Sequence, residues 1–488
     1  MSLDRVLIGR FSSLESDVPN DDLEIEPPEE GVDETGAQLD GENIVEGDLI
    51  EAADDEAEIA EADGEAEELE DTSDSLESFL LAAQYGKSKG GWSEGEALAY
   101  GLGIDATLKR MGGSSSDVMP SLESFAGNER ERIESTTSVE NRIKDALVAI
   151  WEAVKRAVNK VVAFVRKWYV KIFDGASRLK KRAEAIRKKA ENTTGTAKEK
   201  KIATSTLPQL HKSKSMPAAT DLVAVIKSLS ETTKTLTSNR MESSYGDSID
   251  GVVKVLTDIS EGEGKLNQTD AANALNGIVK SPIFTVDLSI AKSKGSADEM
   301  SRISMTAASQ NDISELFQSA ELPGGKKIAH LKLTSPKGTV SEGQYGRNVA
   351  SSARAGGKVV VVDYSKSKVE VDSTKQVAIL EPSQVVAIAD EVSDFCKAVI
   401  DYKLGFDTYS KKNSAALGKV DAIVRKSTGS SGDSAERERG EFVRGLAQAL
   451  GSMVRNRGTS ITNVISYGMN VSRNALVFSV QSLAQYKD

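Results

Sequence analysis

From Ile143 the apolar positions fall into one helical series. Ile143, Leu147, Ile150, Val154, Val158, Val161, Val165, Trp168 and Ile172 are spaced three or four apart, which predicts one apolar face over about thirty residues. Much of the remaining circumference is cationic, and the basic run continues past the apolar series to Lys189. Residues 141–190 therefore read as a basic amphipathic helical region. Residues 191–216, rich in Thr, Ser and Lys, read as a linker. Beyond it the pattern predicts helices near 219–236, 247–260 and 269–279. Strand-like runs follow at Phe284–Leu288 and Ile328–Leu333. The runs Lys358–Tyr364 and Lys368–Val371 flank Ser365-Lys366-Ser367 as a hairpin would, and Gln376–Leu380 adds another strand. Helical stretches near 382–403, 407–425, 435–455 and 460–484 end the chain. Strands grouped at about 282–381, with helices before and after, predict an α+β domain over 217–488 and a mainly helical chain.

Upstream of the long helix the pattern is different. Leu3, Val6, Leu7 and Phe11 give a short amphipathic N-terminus, followed by an acidic tract from Asp21 to Asp74 with almost no aromatic residues. Such a composition predicts disorder, because little apolar surface is available to offset chain entropy. Residues 1–140 hold 38 acidic and 8 basic residues, a net of −30, whereas the chain as a whole is −14. Residues 141–488 are therefore +16, and 17 basic against 6 acidic residues between 141 and 200 supply most of that excess. We expect 1–140 to be a largely disordered acidic segment and 141–488 to fold without it.

Candidate chemistry is sparse. Cys396, the sole cysteine, sits on the apolar stripe Val385, Ile388, Val392, Cys396, Val399 and reads as a core thiol. His211 and His330 have no partner at metal-ligand spacing, so neither a zinc site nor any other metal or cofactor is expected. Gly324-Gly325-Lys326 and Gly356-Gly357-Lys358 lack the upstream glycine of a phosphate loop and read as turns entering strands. No catalytic residue is identified, and the chain is not expected to be an enzyme. No apolar run reaches the length of a membrane span.

One motif stands out. Ser-Leu-Glu-Ser occurs at 13–16, 75–78 and 121–124, and the last two copies continue to Phe79 and Phe125. Fewer than about 0.1 such tetrapeptides are expected by chance in this length. The sequence between the copies is not self-similar, so they are not structural repeats. Ser75 would serve as a helix N-cap before Leu76, but capping alone does not require Leu, Glu and Ser to recur.

The repeated motif, the acidic leader and the basic remainder resemble internal head proteins of large tailed bacteriophages, most closely the inner-body proteins of the phiKZ-like giant phages. The resemblance implies a precursor whose propeptide is removed by a prohead protease cutting after Ser-x-Glu. The matching positions within residues 1–140 are Glu15, Glu77, Glu123 and, in Ser138-Val139-Glu140, Glu140; Ser434-Ala435-Glu436, at the start of a predicted helix, reads as coincidence. It also implies a location inside the virion head, reached from the host cytoplasm during assembly, among other head proteins and copies of the chain.

The basic product would then lie with packaged DNA, bound without sequence specificity. Its candidate contacts are Lys155, Arg156, Lys160, Arg166, Lys167, Lys171, Lys180, Lys181, Arg182, Arg187, Lys188 and Lys189. Two other readings stay open. One is a membrane-active protein ejected with the genome, with Trp151, Trp168 and Tyr169 as interfacial anchors. The other is a cellular DNA-associated protein with a permanent acidic tail.

Overall fold

The computed structural model describes residues 42–110, 118–261, 281–296, 314–333, 357–365, 371–372, 374–429 and 434–486. Its axis is a 64-residue helix, α3 (Glu129–Asn192). α3 starts twelve residues before the basic region, because Asn128 and Glu131 form a capping box. Asn128 accepts from the Glu131 N–H at 3.1 Å, and the Asn128 N–H donates to Glu131 Oε2 at 3.0 Å.

All nine residues of the apolar series are buried, and so are Ala146, Ala153, Ala157, Phe164, Tyr169 and Ala176 within or beside the same stripe. The buried face therefore widens to about half of the helix circumference. Packed against it are α1 (Glu42–Ser88), α8 (Pro382–Ile400), α9 (Lys403–Gly429) and α10 (Ser434–Leu483). Here the expectation of a disordered tract from Asp21 to Asp74 meets a different finding: residues 1–41 lie outside the described residues, but α1 is helical and contributes Ile59, Ala62, Ala66, Leu69, Leu76, Leu80 and Ala83 to the core. Ser75 does not cap it. It lies within the helix, with its Oγ donating to the Asp71 carbonyl at 3.0 Å.

Between α1 and α2 (Glu94–Lys109) the chain turns through Gly90 and Gly91, at φ +94° and +82°. A Cβ at Gly91 would lie 2.4 Å from the Arg132 carbonyl carbon and 2.5 Å from the Ile133 nitrogen, so the turn is pressed onto the first turns of α3. Gly91→Ala is expected to cost more than about 1 kcal/mol through strained φ and steric overlap together. A lowered urea midpoint at unchanged slope would show it, and an unchanged midpoint would count against this packing.

Four strands, β2 (Ser293–Lys294), β3 (Ser314–Gln318), β4 (Lys326–Leu333) and β5 (Val359–Asp363), form an antiparallel sheet in that order. The predicted strands at 328–333 and 358–364 correspond to β4 and β5, while β3 was not anticipated. β5 pairs with β4, with Ile328 opposite Val361. Its expected hairpin partner at 368–371 lies largely outside the described residues, as does the predicted helix 269–279. Phe284–Leu288 is not a strand; Pro282 starts a helical turn, α7 (Pro282–Thr285). The sheet rests on α10, where Ser460 Oγ accepts from the Val359 N–H at 2.8 Å and the Asn463 amide donates to the Val359 carbonyl at 3.1 Å.

Residues 191–216 are packed rather than slack. β1 (Lys201–Ala203) pairs antiparallel with β6 (Gln376–Ala378), and α4 (Leu207–Leu210) buries both of its leucines. Helices α5 (Ala219–Leu236) and α6 (Asn239–Glu261) follow, α6 starting eight residues before its predicted limit. The two predicted terminal helices, 435–455 and 460–484, are the single helix α10. Gly458 lies inside it because a Cβ there would come within 2.8 Å of the Tyr409 hydroxyl and 3.1 Å of Val165. Cys396 is buried in α8, and burial pushes its thiol up to about 12, as suits an inert core residue.

Candidate functional site: an acidic helix on a basic seat

α1 carries a heptad. Ile59, Ala62, Ala66, Leu69, Ser73, Leu76, Leu80 and Ala83 alternate spacings of three and four, a coiled-coil seam of small and branched residues. Following that seam, one carboxylate recurs every seventh residue: Glu56, Asp63, Glu70 and Glu77. Glu61, Glu68 and Asp74 are exposed, whereas Glu58, Glu65 and Glu67 are half-buried. The tract is acidic on average but segregated by face, and segregation is what allows it to pack.

The recurring carboxylates meet cations from distant parts of the chain. Arg455, with no exposed side-chain surface, places Nη1 2.5 Å from Asp63 Oδ1 and Nη2 2.8 Å from Glu70 Oε2. One helical stretch earlier, Arg444 Nε donates to Glu77 Oε1 at 2.7 Å, and between them the Gln448 amide donates to Ser73 Oγ at 3.0 Å. Arg444, Gln448 and Arg455 therefore run antiparallel to Glu77, Ser73 and Glu70. Lys358, entering β5, reaches Asp63 Oδ2 at 2.8 Å and Glu67 Oε1 at 2.9 Å. From α3, Trp168 Nε1 lies 3.3 Å from Glu56 Oε1, and Lys167 Nζ 3.7 Å from Glu58.

These groups hold each other charged. Burial pushes the Asp63 carboxyl up, but the neighbouring charges of Arg455 and Lys358 outweigh it and the net shift is downward. Burial likewise pushes Lys358 down, and Asp63 and Glu67 raise it overall. Glu140 in α3 behaves similarly: burial raises it, and hydrogen bonds from Lys87 and Lys144 lower it further.

A depressed carboxylate stabilises the fold fully above its ordinary value and loses that contribution as pH falls towards its folded value. A raised lysine does so below its ordinary value and loses it as pH rises. Stability should therefore be flat only between the ordinary histidine and thiol values, 6.5 and 9.0, because the unfolded chain protonates His330 below the first and ionises Cys396 above the second. It should fall further on the acid side as Asp63 and Glu140 protonate. A pH series of thermal melts checks this, and a maximum confined to the acid limb would contradict it.

The motif glutamates lie in three settings. Glu15 is outside the described residues. Glu77 is buried within α1 on Arg444, and Glu140 is buried within α3, 2.7 Å from Lys87 of α1 and 3.0 Å from Lys144. Glu123 is exposed, in the single 3-10 turn Leu122–Phe125 between α2 and α3.

The candidate DNA contacts do not form one open face. Lys155 lies 2.9 Å from both Glu152 and Asp421, whose carboxyl burial raises and these partners bring down to about 2. Lys180 pairs with Glu184 and Arg187 with Asp390 and Glu191, while Lys160 lies over the Phe164 ring. Arg156, Arg166, Lys171 and Arg182 are half-buried, and Lys181, Lys188 and Lys189 are exposed towards the C-terminal end of α3. The cations gathered on one ligand-like object, Lys358, Arg444 and Arg455, were missed because they come from three separated positions. The heptad in the acidic tract was the available signal.

The aromatic residues proposed as membrane anchors are core. Trp151, Trp168 and Tyr169 are buried, and Trp151 Nε1 donates to Asp421 at 3.2 Å. Among the described residues no helix is long and apolar enough to cross a membrane, and no cluster of His, Cys, Asp and Glu is placed to hold a metal ion. Burial pushes both imidazoles down, His330 to about 3.

The family model of phiKZ-like phage internal head proteins matches residues 45–478, from the start of α1 to the last turns of α10. No curated protein and no solved structure matches the chain.

Proposed function

The chain belongs to the phiKZ-like phage internal head proteins, structural proteins located inside the phage head, and we propose that it is made as a precursor whose acidic part shields a basic one until a prohead protease cuts after Ser-x-Glu. One observation supports this above the others: Asp63, Glu67, Glu70 and Glu77 of the acidic segment occupy Lys358, Arg444 and Arg455 of the basic remainder. In host cytoplasm the paired precursor keeps these cations from nucleic acid. After cutting in the closed head, a product of net charge near +16 lies with packaged DNA. The seat vacated by α1 then meets phosphates at its cations and copies of the chain or other head proteins along its apolar stripe. The role is structural and needs no catalytic residue.

Duplex DNA binding by the full precursor and by processed protein from mature particles tests the shielding. The processed form should bind at least about tenfold more tightly at low salt, with log affinity falling linearly in log salt. Equal affinities would reject it. So would mature particles yielding peptides from 42–74 as abundantly as peptides from 219–261.

A further inference from the structure

The precursor reading above treats the Ser-x-Glu sites alike, but the structure separates them. At Ser121-Leu122-Glu123 the serine and the glutamate are exposed and Leu122 is 37% exposed, on a four-residue turn held by the buried Phe125 and by a hydrogen bond from Ser135 Oγ to the Ser124 carbonyl at 3.0 Å. At Ser75-Leu76-Glu77 the leucine is completely buried in the seam of α1, and the carboxylate to be recognised is itself the partner of Arg444. At Ser138-Val139-Glu140 the valine is completely buried, and the glutamate is held by Lys87 and Lys144 with the Gln84 amide 3.4 Å away. Lys87 and Gln84 both belong to α1. The recognition glutamates at 77 and 140 are therefore engaged across the α1 interface, while that at 123 is not.

We infer that processing is ordered: Glu123 is cut first, and Glu77 and Glu140 become cleavable only after α1 has left its seat. A protease needs its substrate extended and its recognition side chain free, so a site in a packed helix is cut through its open state, at a rate set by the population of that state. While the Glu123–Ser124 bond is intact, α1 is tethered to α3 and rebinds its seat at high effective concentration. Hydrolysis of that bond removes the tether, so α1 dissociates more readily. Water is the only co-reactant, giving a carboxylate at Glu123 and an amine at Ser124. Hydrolysis after Glu77 then splits the heptad and prevents rebinding, which makes removal of the acidic segment irreversible.

The test co-incubates the full chain with the prohead protease of the same phage and follows new N-termini by mass spectrometry over time. Ser124 should form first, and Ser78 and Asn141 later. In Glu123→Gln, Ser78 and Asn141 should form at least about tenfold more slowly. In that background Arg444→Gln and Lys87→Gln should each speed the appearance of both Ser78 and Asn141, because each weakens the hold of the seat on α1 and raises the one open state from which both sites are cut. Arg444→Gln alone should leave the Ser124 rate unchanged, and a retained cooperative melt serves as the check that the variant is folded. Ser78 forming first, or as fast in Glu123→Gln as in the parent chain, would overturn the order while leaving processing intact. If none of the three termini formed, the precursor reading itself would fall, and the order with it.

Discussion

Deleting residues 1–88 should abolish cooperative unfolding of the rest of the chain. The deletion strips Ile59, Leu69, Leu76 and Leu80 from contact with α3 and α10 and leaves their buried neighbours facing water. Loss of each large apolar side chain costs about 2–5 kcal/mol where the site cannot collapse. Arg455, completely buried, would lose both carboxylates, a further penalty of roughly 3–5 kcal/mol. Together these match or exceed the roughly 5–15 kcal/mol by which domains are stable. The expected result is a broad thermal transition monitored by circular dichroism at 222 nm, with dye binding to exposed apolar surface. A sharp melt within about 5 °C of the full chain would show that the acidic helix is dispensable.

A 141–488 chain should behave the same way, contrary to what composition predicts. It additionally lacks the capping box at Asn128 and the first turns of α3. Under the proposed function, the order of the processed product would depend on copies of the chain and DNA taking the place of α1.

Arg455→Ala is expected to lower stability by about 3–5 kcal/mol, among the largest effects of any single substitution here. It leaves Glu70, completely buried, without its guanidinium. Lys358 still holds Asp63, so the damage concentrates at Glu70. The double variant Arg455→Met/Glu70→Leu should recover most of the loss, because matched apolar groups need no desolvation of charge. Urea midpoints at constant slope measure both. A single-variant loss below about 1 kcal/mol, or a double variant no better than the single, would mean that the pair is wet rather than buried.

The α3 face, helices α5 and α8, β4, β5 and the inert Cys396 were legible in residue order because each depends on local spacing. The tract 42–74 was misread because its mean composition was weighed and its phase was not. A carboxylate every seven residues beside an Ala/Leu seam differs from the same carboxylates scattered, since only the former can stack on cations while the seam buries. β3 was missed because five residues, Ser314–Gln318, carry too few alternations to mark a strand. α10 was split because Gly458 looks like a break until Tyr409 and Val165 are seen against it.

By itself the sequence determined the charge division between residues 1–140 and 141–488, the recurrence of Ser-Leu-Glu-Ser and the mainly helical α+β class, since counts and short-range periodicity need no third dimension. Tertiary structure alone decided which cations face the acidic helix and which motif glutamate is open. Lys358, Arg444 and Arg455 lie about 290 to 390 residues from their partners along the chain. Pairs so distant leave no local pattern. Packing decides whether a glutamate is solvated, as at 123, or held in a buried ion pair, as at 77.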